Sequence, residues 1–260
     1  MATIADRRRP RRRNRGAVPQ HDKVIRLSED HPAVLEGRTL YPRLLRSPTE
    51  DEWVLKSGQH NRKLGDLVTK GRWKGYPIYS LSLEERATCP RSCSQWRFCY
   101  TNHMSQFRAY RYRHGAALVR ELERELMILN GEPQTRRGFV VRLHAAGDFY
   151  DVPYVEKWAE WLSRFPALHV FGYSAREPDT AIGQAVFKLA HERWERFAIR
   201  QSNGKSKFRS TSVRPSSDPK PNPREALDCP AETAKPSKGV CCGSCALCWT
   251  TNKRITFIEH

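Results

Sequence analysis

Between Phe139 and Ser202 the chain changes its hydrophobic period several times, and this limits the folds open to it. In "GFVVRLHAAGDFY" the run Phe139 to Leu143 suits a buried strand. The next stretch, "DVPYVEKWAEWLSRF", sets Val155, Trp158, Ala159, Leu162 and Phe165 on one helical face, with Asp151 and Pro153 near its start. "LHVFGYS" and "RFAIRQS" read as strands around a helix in "DTAIGQAVFKLAHERW", with Asp179 as candidate N-cap. Upstream, Leu118, Leu122, Leu126 and Leu129 follow helical spacing up to Asn130-Gly131, and Tyr76 to Leu83 reads as another buried strand. Strands alternating with helices of this length make βαβ units and a parallel sheet, so the fold class is α/β. Trp158, Trp161 and Trp194 read as packing residues, and "EREL" in the first long helix as a solvated face.

Function in parallel sheets collects where strands end. The residues at those places are His144 to Asp148, Tyr173 to Arg176 and Arg200 to Asn203. His144, Asp148, Tyr173, Arg176, Arg200 and Ser202 are therefore the candidate catalytic or substrate-lining residues. Simpler roles compete with this one. His144 fits a core histidine and Asp148 a helix cap. Arg142 fits an ion pair, and Arg176 and Arg200 fit phosphate contacts or plain surface.

Eight cysteines lie in two groups, and a reducing compartment makes metal ligation the natural use for them. Cys242, Cys245 and Cys248 form C-x2-C-x2-C, and Cys229 stands before Pro230 thirteen positions upstream. Such short steps let thiolates converge on an iron–sulfur cluster or a zinc ion. Cys241 is spare, or takes the place of Cys242. The other group, "ATCPRSCSQWRFCY", holds Cys89, Cys93 and Cys99. Three thiolates hold three corners of a [4Fe–4S] cluster and leave the fourth iron open. A zinc site needs a fourth ligand, for which His103 is nearest, and a third arrangement has both loops share one site.

The formal net charge is +18, of which the first 15 residues carry +6. A surplus spread this widely points to a nucleic acid, a nucleotide or another polyanion as partner. Residues 1–35 read as a disordered basic arm, 36–203 as the α/β core, 204–238 as a Pro/Ser/Lys-rich linker or long loop, and 239–260, with Cys229, as a Cys-rich metal-binding segment. No apolar run is long enough for a membrane helix, and the arginine-rich start has no signal-peptide character. A cytoplasmic location in a bacterial host cell is expected. No convincing carboxylate cluster suggests a Mg²⁺-dependent nuclease.

The three-cysteine loop resembles the cluster loop of the radical S-adenosylmethionine superfamily. Cys89-x3-Cys93 fits that pattern, and Phe98 supplies the aromatic before Cys99, although five residues separate the last two cysteines instead of two. Gly147 and Asp148 in "AAGDF" look similar to the motif ending the superfamily's second strand. The resemblance implies a partial (β/α) barrel-like sheet, a [4Fe–4S] cluster on Cys89, Cys93 and Cys99, and S-adenosylmethionine as cofactor. It further implies Phe98 or Tyr100 beside adenine, Gly147 and Asp148 at the methionine amine, an auxiliary cluster on the C-terminal cysteines, and an electron-donor protein. The order "NRKLG", "LSLEERATCP", "HAAGDFY", "GYSAR", "RQS", "CGSCALCW" resembles the gene product eighty-eight family of mycobacteriophages over residues 50–250. That resemblance implies a phage, prophage or plasmid origin and brings no activity with it. The competing reading is a non-catalytic nucleic-acid binder stapled by zinc or iron–sulfur clusters.

Overall fold

The computed structural model describes residues 25–103, 111–233 and 239–259. Two short strands, β1 (Leu45–Arg46) and β4 (Arg111–Tyr112), pair in parallel as a ribbon of their own. The main sheet has five strands: β2 (Lys56–Ser57), β3 (Ile78–Ser80), β5 (Phe139–Leu143), β6 (Leu168–Ser174) and β7 (Phe197–Gln201), in the order β2-β3-β5-β6-β7. From β3 to β7 every pairing is parallel, and only β2 at the edge runs antiparallel. The α/β reading therefore holds, with sheets that are mostly parallel. The sheet is open, and no closed barrel forms among the described residues.

Side chains alternate across the sheet as the pleat demands. Phe139, Val141 and Leu143 of β5, Leu168 and Val170 of β6, and Phe197 and Ile199 of β7 join the core with the helices. Three helices supply the other half of that core: α2 (Ala116–Gly131), α3 (Val152–Arg164) and α4 (Ala181–Glu192), which follow the single short turn α1 (Pro32–Leu35). The expected stripe of α2, Leu118, Leu122, Leu126 and Leu129, is buried, and so are Val155, Trp158, Leu162 and Phe165 of the α3 stripe; Ala159 is half-buried, and Tyr154 and Trp161 join the buried face. Asp151 caps α3, its carboxylate accepting from the N–H of Tyr154 at 2.7 Å. On α4 the cap is Thr180 rather than Asp179, because the Thr180 hydroxyl is the group that reaches the N–H of Gly183, at 3.1 Å.

The opposite face of the sheet carries Val140, Phe171 and Ala198, and among the described residues no long helix covers it. Leu64, Val68 and Trp73 from the approach to β3 pack there, with Cys242, Cys248 and Trp249. Trp73 and Trp249 stack with ring centroids 5.0 Å apart. The cysteine-rich C-terminal segment is thus a layer of the fold.

Three parts of the expected organisation need correcting. Residues 25–35, assigned to a disordered arm, contain α1, whose Ala33 and Val34 are buried, and Trp96 Nε1 donates to the Val34 carbonyl at 3.2 Å. Residues 1–24 lie outside the described residues. The 204–238 stretch, expected as a linker, contains β8 (Thr211–Arg214) and β9 (Ala226–Asp228). Both pair in parallel with β10 (Arg254–Ile258), which lies between them. Only 234–238 of that stretch lie outside the described residues. Finally, "EREL" is not a solvated face: Glu125 is buried, and its carboxylate accepts from the N–H groups of Val54 and Leu55 at 2.6 and 2.9 Å.

Candidate metal centres at the sheet edge

The chain leaves β3 through Leu83 and enters the three-cysteine loop. A buried polar network holds the base of this loop. Arg111 pairs with Glu85 at 2.5 Å, and Thr39 Oγ1 donates to Glu85 at 2.8 Å. Arg86 donates to the Trp96 carbonyl at 3.0 Å and to Asn102 Oδ1 at 2.6 Å. Asn102 in turn donates to the carbonyl of Arg97 at 3.2 Å. Buried charges are tolerated only when paired this fully. The network fixes the chain on both sides of Cys89, Cys93 and Cys99, and nothing in its composition marked it as a scaffold.

Cys89, Cys93 and Cys99 are half-buried free thiols. Burial pushes the Cys89 thiol well up, with Asp148 and the other two cysteines adding to the effect. Burial likewise raises Cys93 to about 11, and it raises Cys99, whose sulfur lies 3.0 Å from Thr101 Oγ1. Such thiols stay protonated unless a cation draws off the proton.

The turn after β5 meets this loop directly. Gly147 adopts a φ of +81°, and a Cβ there would lie 2.6 Å from Thr88 Oγ1 and 2.7 Å from Leu83 Cβ. Only glycine fits. The close approach lets Asp148 N–H donate to Thr88 Oγ1 at 3.1 Å, one residue before Cys89. The buried Asp148 carboxylate accepts from Phe149 N–H at 2.7 Å, Ser174 Oγ at 2.8 Å and Ala175 N–H at 2.7 Å. Burial pushes its pKa up to about 6 against the pull of those bonds. Asp148 therefore ties the ends of β5 and β6 together while facing the cysteine loop. It caps no helix, since Asp151 does that.

The other strand-end candidates divide. Arg176 donates to the carbonyls of Phe149 at 2.8 Å and Thr88 at 2.6 Å, strapping the same corner. Ser202 extends the edge through its N–H, which donates to the Ser174 carbonyl at 2.7 Å. Tyr173 places its hydroxyl 3.0 Å from Cys248 Sγ. Arg200, fully buried, donates to the carbonyls of Cys248 and Lys253, both at 2.8 Å, and to those of Leu247 and Thr251. It is a clamp on the C-terminal cysteine segment, with its donors used on backbone. His144 faces the helices, because β5 ends at Leu143 and the alternation ends with it. Its Nε2 lies 3.2 Å from the Tyr154 hydroxyl, and burial lowers its pKa to about 3, so it is a neutral core residue. Phe98 lies under Arg26, 4.7 Å from ring centroid to guanidinium. The Tyr100 hydroxyl donates to the Ala145 carbonyl. His103 has its side chain outside the described residues.

The second group assembles from two places. Cys229 follows β9 and opens the one-turn helix α5 (Pro230–Thr233), its N–H donating to the Thr256 carbonyl at 2.8 Å. Cys242 and Cys245 begin and end α6 (Cys242–Cys245), and Cys248 lies in α7 (Leu247–Thr250). Ala246, at φ +62°, makes the turn between these helices. Cys242 N–H donates to the Lys63 carbonyl at 2.8 Å. Cys229, Cys242, Cys245 and Cys248 line one narrow cavity together with Arg142 and Tyr173. Cys241 lies on the far side, against Gly65, where a Cβ would come within 2.6 Å of its sulfur. Burial pushes Cys229 and Cys242 up to about 12.

Among the described residues, no group of three or more His, Cys, Asp or Glu stands arranged to hold a metal ion. A single zinc requires donors at about 2.0–2.3 Å from one point. A cube binds each thiolate to a different iron, so its ligands stand wider apart. The donor chemistry of both groups, soft thiols in buried loops, suits zinc and iron–sulfur clusters alike.

These features define an α/β protein with a parallel sheet whose strand ends and open face carry two separate cysteine groups. The chain belongs to the Gene product 88 family, whose model matches residues 53–251. The match spans both cysteine groups and supports the phage resemblance read from the sequence. No curated protein and no solved structure matches the chain. No helix among the described residues is long and apolar enough to cross a membrane.

Proposed function

We propose that the protein is an iron–sulfur enzyme whose three-cysteine loop holds a cluster with one open iron, on which S-adenosylmethionine binds beside an anionic substrate, a nucleic acid or nucleotide. One observation carries this reading: the hydrogen bond from Asp148 N–H to Thr88 Oγ1 joins the cysteine loop that follows the first parallel strand to the glycine–acid turn that follows the second. In that arrangement Cys89, Cys93 and Cys99 hold the metal. Asp148 contributes negative charge to a site that receives an ammonium and a sulfonium. Its carboxylate already takes three donors, so it acts through its field more than through free lone pairs. Arg176 keeps the two turns in contact, and the C-terminal cysteines hold an auxiliary centre. When bound, the cluster supplies a single electron to the cofactor, while the protein orients the reactants and excludes water. The net charge of +18 supports a polyanionic substrate.

The test is anaerobic purification with assays of iron, sulfide and zinc, followed by spectra of the reduced protein with and without S-adenosylmethionine. The expected result is iron in both groups and a cluster signal that changes on adding the cofactor. The triple variant Cys89→Ala/Cys93→Ala/Cys99→Ala should lose one cluster and the response, and keep the C-terminal metal. Full iron in that variant would overturn the assignment. Zinc without iron would make the loop a staple and favour the nucleic-acid-binding alternative.

A further inference from the structure

Arg142 sits on β5 with its side chain on the sheet face away from the helices, in the cavity of the C-terminal cysteines. Its Nε is buried and has no hydrogen-bond partner. Among the described residues no carboxylate forms an ion pair with it, in contrast to Arg111 with Glu85 or Arg214 with Asp228. A guanidinium does not lose its proton in a protein, so its charge needs compensation where it stands. The groups that act on it most strongly are Tyr100, Cys242, Tyr173 and Cys248. None is an acid at neutral pH while the thiols hold their protons.

The charges around the two cysteine groups differ. Lys63 acts on Cys229 and Cys242, Lys70 on Cys245, Arg142 on Cys242, and Arg200 is influenced by Cys248. Against these cations stands Glu232, beside Cys229 and paired with Lys63. The three-cysteine loop faces the acids Asp148 and Glu85 and the cation Arg86, which is itself tied to the loop backbone. One cysteine group thus lies in a mainly positive setting and the other among charges of both signs.

We infer that Arg142 is the built-in counter-charge of an anionic four-thiolate metal centre formed by Cys229, Cys242, Cys245 and Cys248. Four thiolates carry −4, which a zinc or a [4Fe–4S] core only partly cancels. The loaded centre is therefore an anion, and Arg142 neutralises it from the sheet side. This deepens the auxiliary-centre part of the proposed function and does not depend on the chemistry of the three-cysteine loop. It makes Arg142 a positioning residue for the metal.

The test uses the full chain in the Cys89→Ala/Cys93→Ala/Cys99→Ala background, so that metal reports on the C-terminal group alone. Metal loss to a chelator is timed for Arg142, Arg142→Lys and Arg142→Leu. Loss should be at least tenfold faster in Arg142→Leu and near the parent rate in Arg142→Lys. Thermal melts are then compared with all four C-terminal cysteines changed to Ser. There the sign should invert: Arg142→Leu lowers the Tm of the loaded protein and raises that of the cysteine-free one, because it removes an uncompensated charge. A purely packing role would lower both. Equal metal loss in Arg142→Leu and its parent overturns the inference and leaves the proposed function standing. Absence of any metal in the parent overturns the inference together with the auxiliary centre.

Discussion

Gly147 shows how little space separates the two halves of the candidate site. A methyl group there meets Thr88 Oγ1 and Leu83 Cβ below 3 Å, on a backbone that side chains rarely adopt. Gly147→Ala should lower stability by about 2–5 kcal/mol, the sum of left-handed strain and overpacking, read as a lower urea midpoint. An unchanged midpoint would mean that the Thr88 contact is loose. At this scale the sequence told residue types but not their tasks. Arg142, Arg176 and Arg200 look alike in a list of strand-end arginines. The structure gives the second two carbonyls and the third four, and leaves Arg142 Nε without a partner. Of the two roles open to His144 at a strand end, its contact with the Tyr154 hydroxyl favours the core histidine. Cys242, Cys245 and Cys248 share one cavity, as their short spacings suggest, while Cys229 joins them from thirteen positions upstream.

Among the elements, α2 carries the least expected feature. Glu125 spends its carboxylate on two N–H groups of the segment leading into β2. Burial outweighs those bonds and pushes its pKa from 4.5 to about 7. The native state therefore holds a proton that the unfolded chain has already released between these values. Stability should fall as pH rises from about 4.5 to about 7, by up to about 3 kcal/mol, and no further loss from this group is expected above. Glu125→Gln should flatten that slope in urea melts across the pH range; an equal slope in the variant would place the titration elsewhere. The strands and helices from 139 to 201 were readable because each buries a full stripe or face. β8 and β9 were not, since they lie in Pro-, Ser- and Lys-rich sequence and their pairing depends on a strand far along the chain. Glu125 escaped notice because a charged residue on a helix is ordinarily solvent-facing.

For the whole molecule, the open sheet has helices on one face and the cysteine segment on the other. The C-terminal group depends on β10, which supplies the Thr256 carbonyl to Cys229 and separates β8 from β9. A chain ending at Thr250 should lose the metal proposed for Cys229, Cys242, Cys245 and Cys248 and keep that proposed for the three-cysteine loop, measured as metal per chain. Loss from both groups would show that the two layers fold as one unit.

The central place of β10 also sets a temporal order. As the chain emerges from a ribosome, β8 and β9 appear first, and neither has the other as a neighbour. They wait for β10 before either is paired along its length, and Cys229 waits with them. Any metal loading of the group proposed on Cys229, Cys242, Cys245 and Cys248 should therefore follow the synthesis of β10, whereas the three-cysteine loop and the helical layer precede it along the chain.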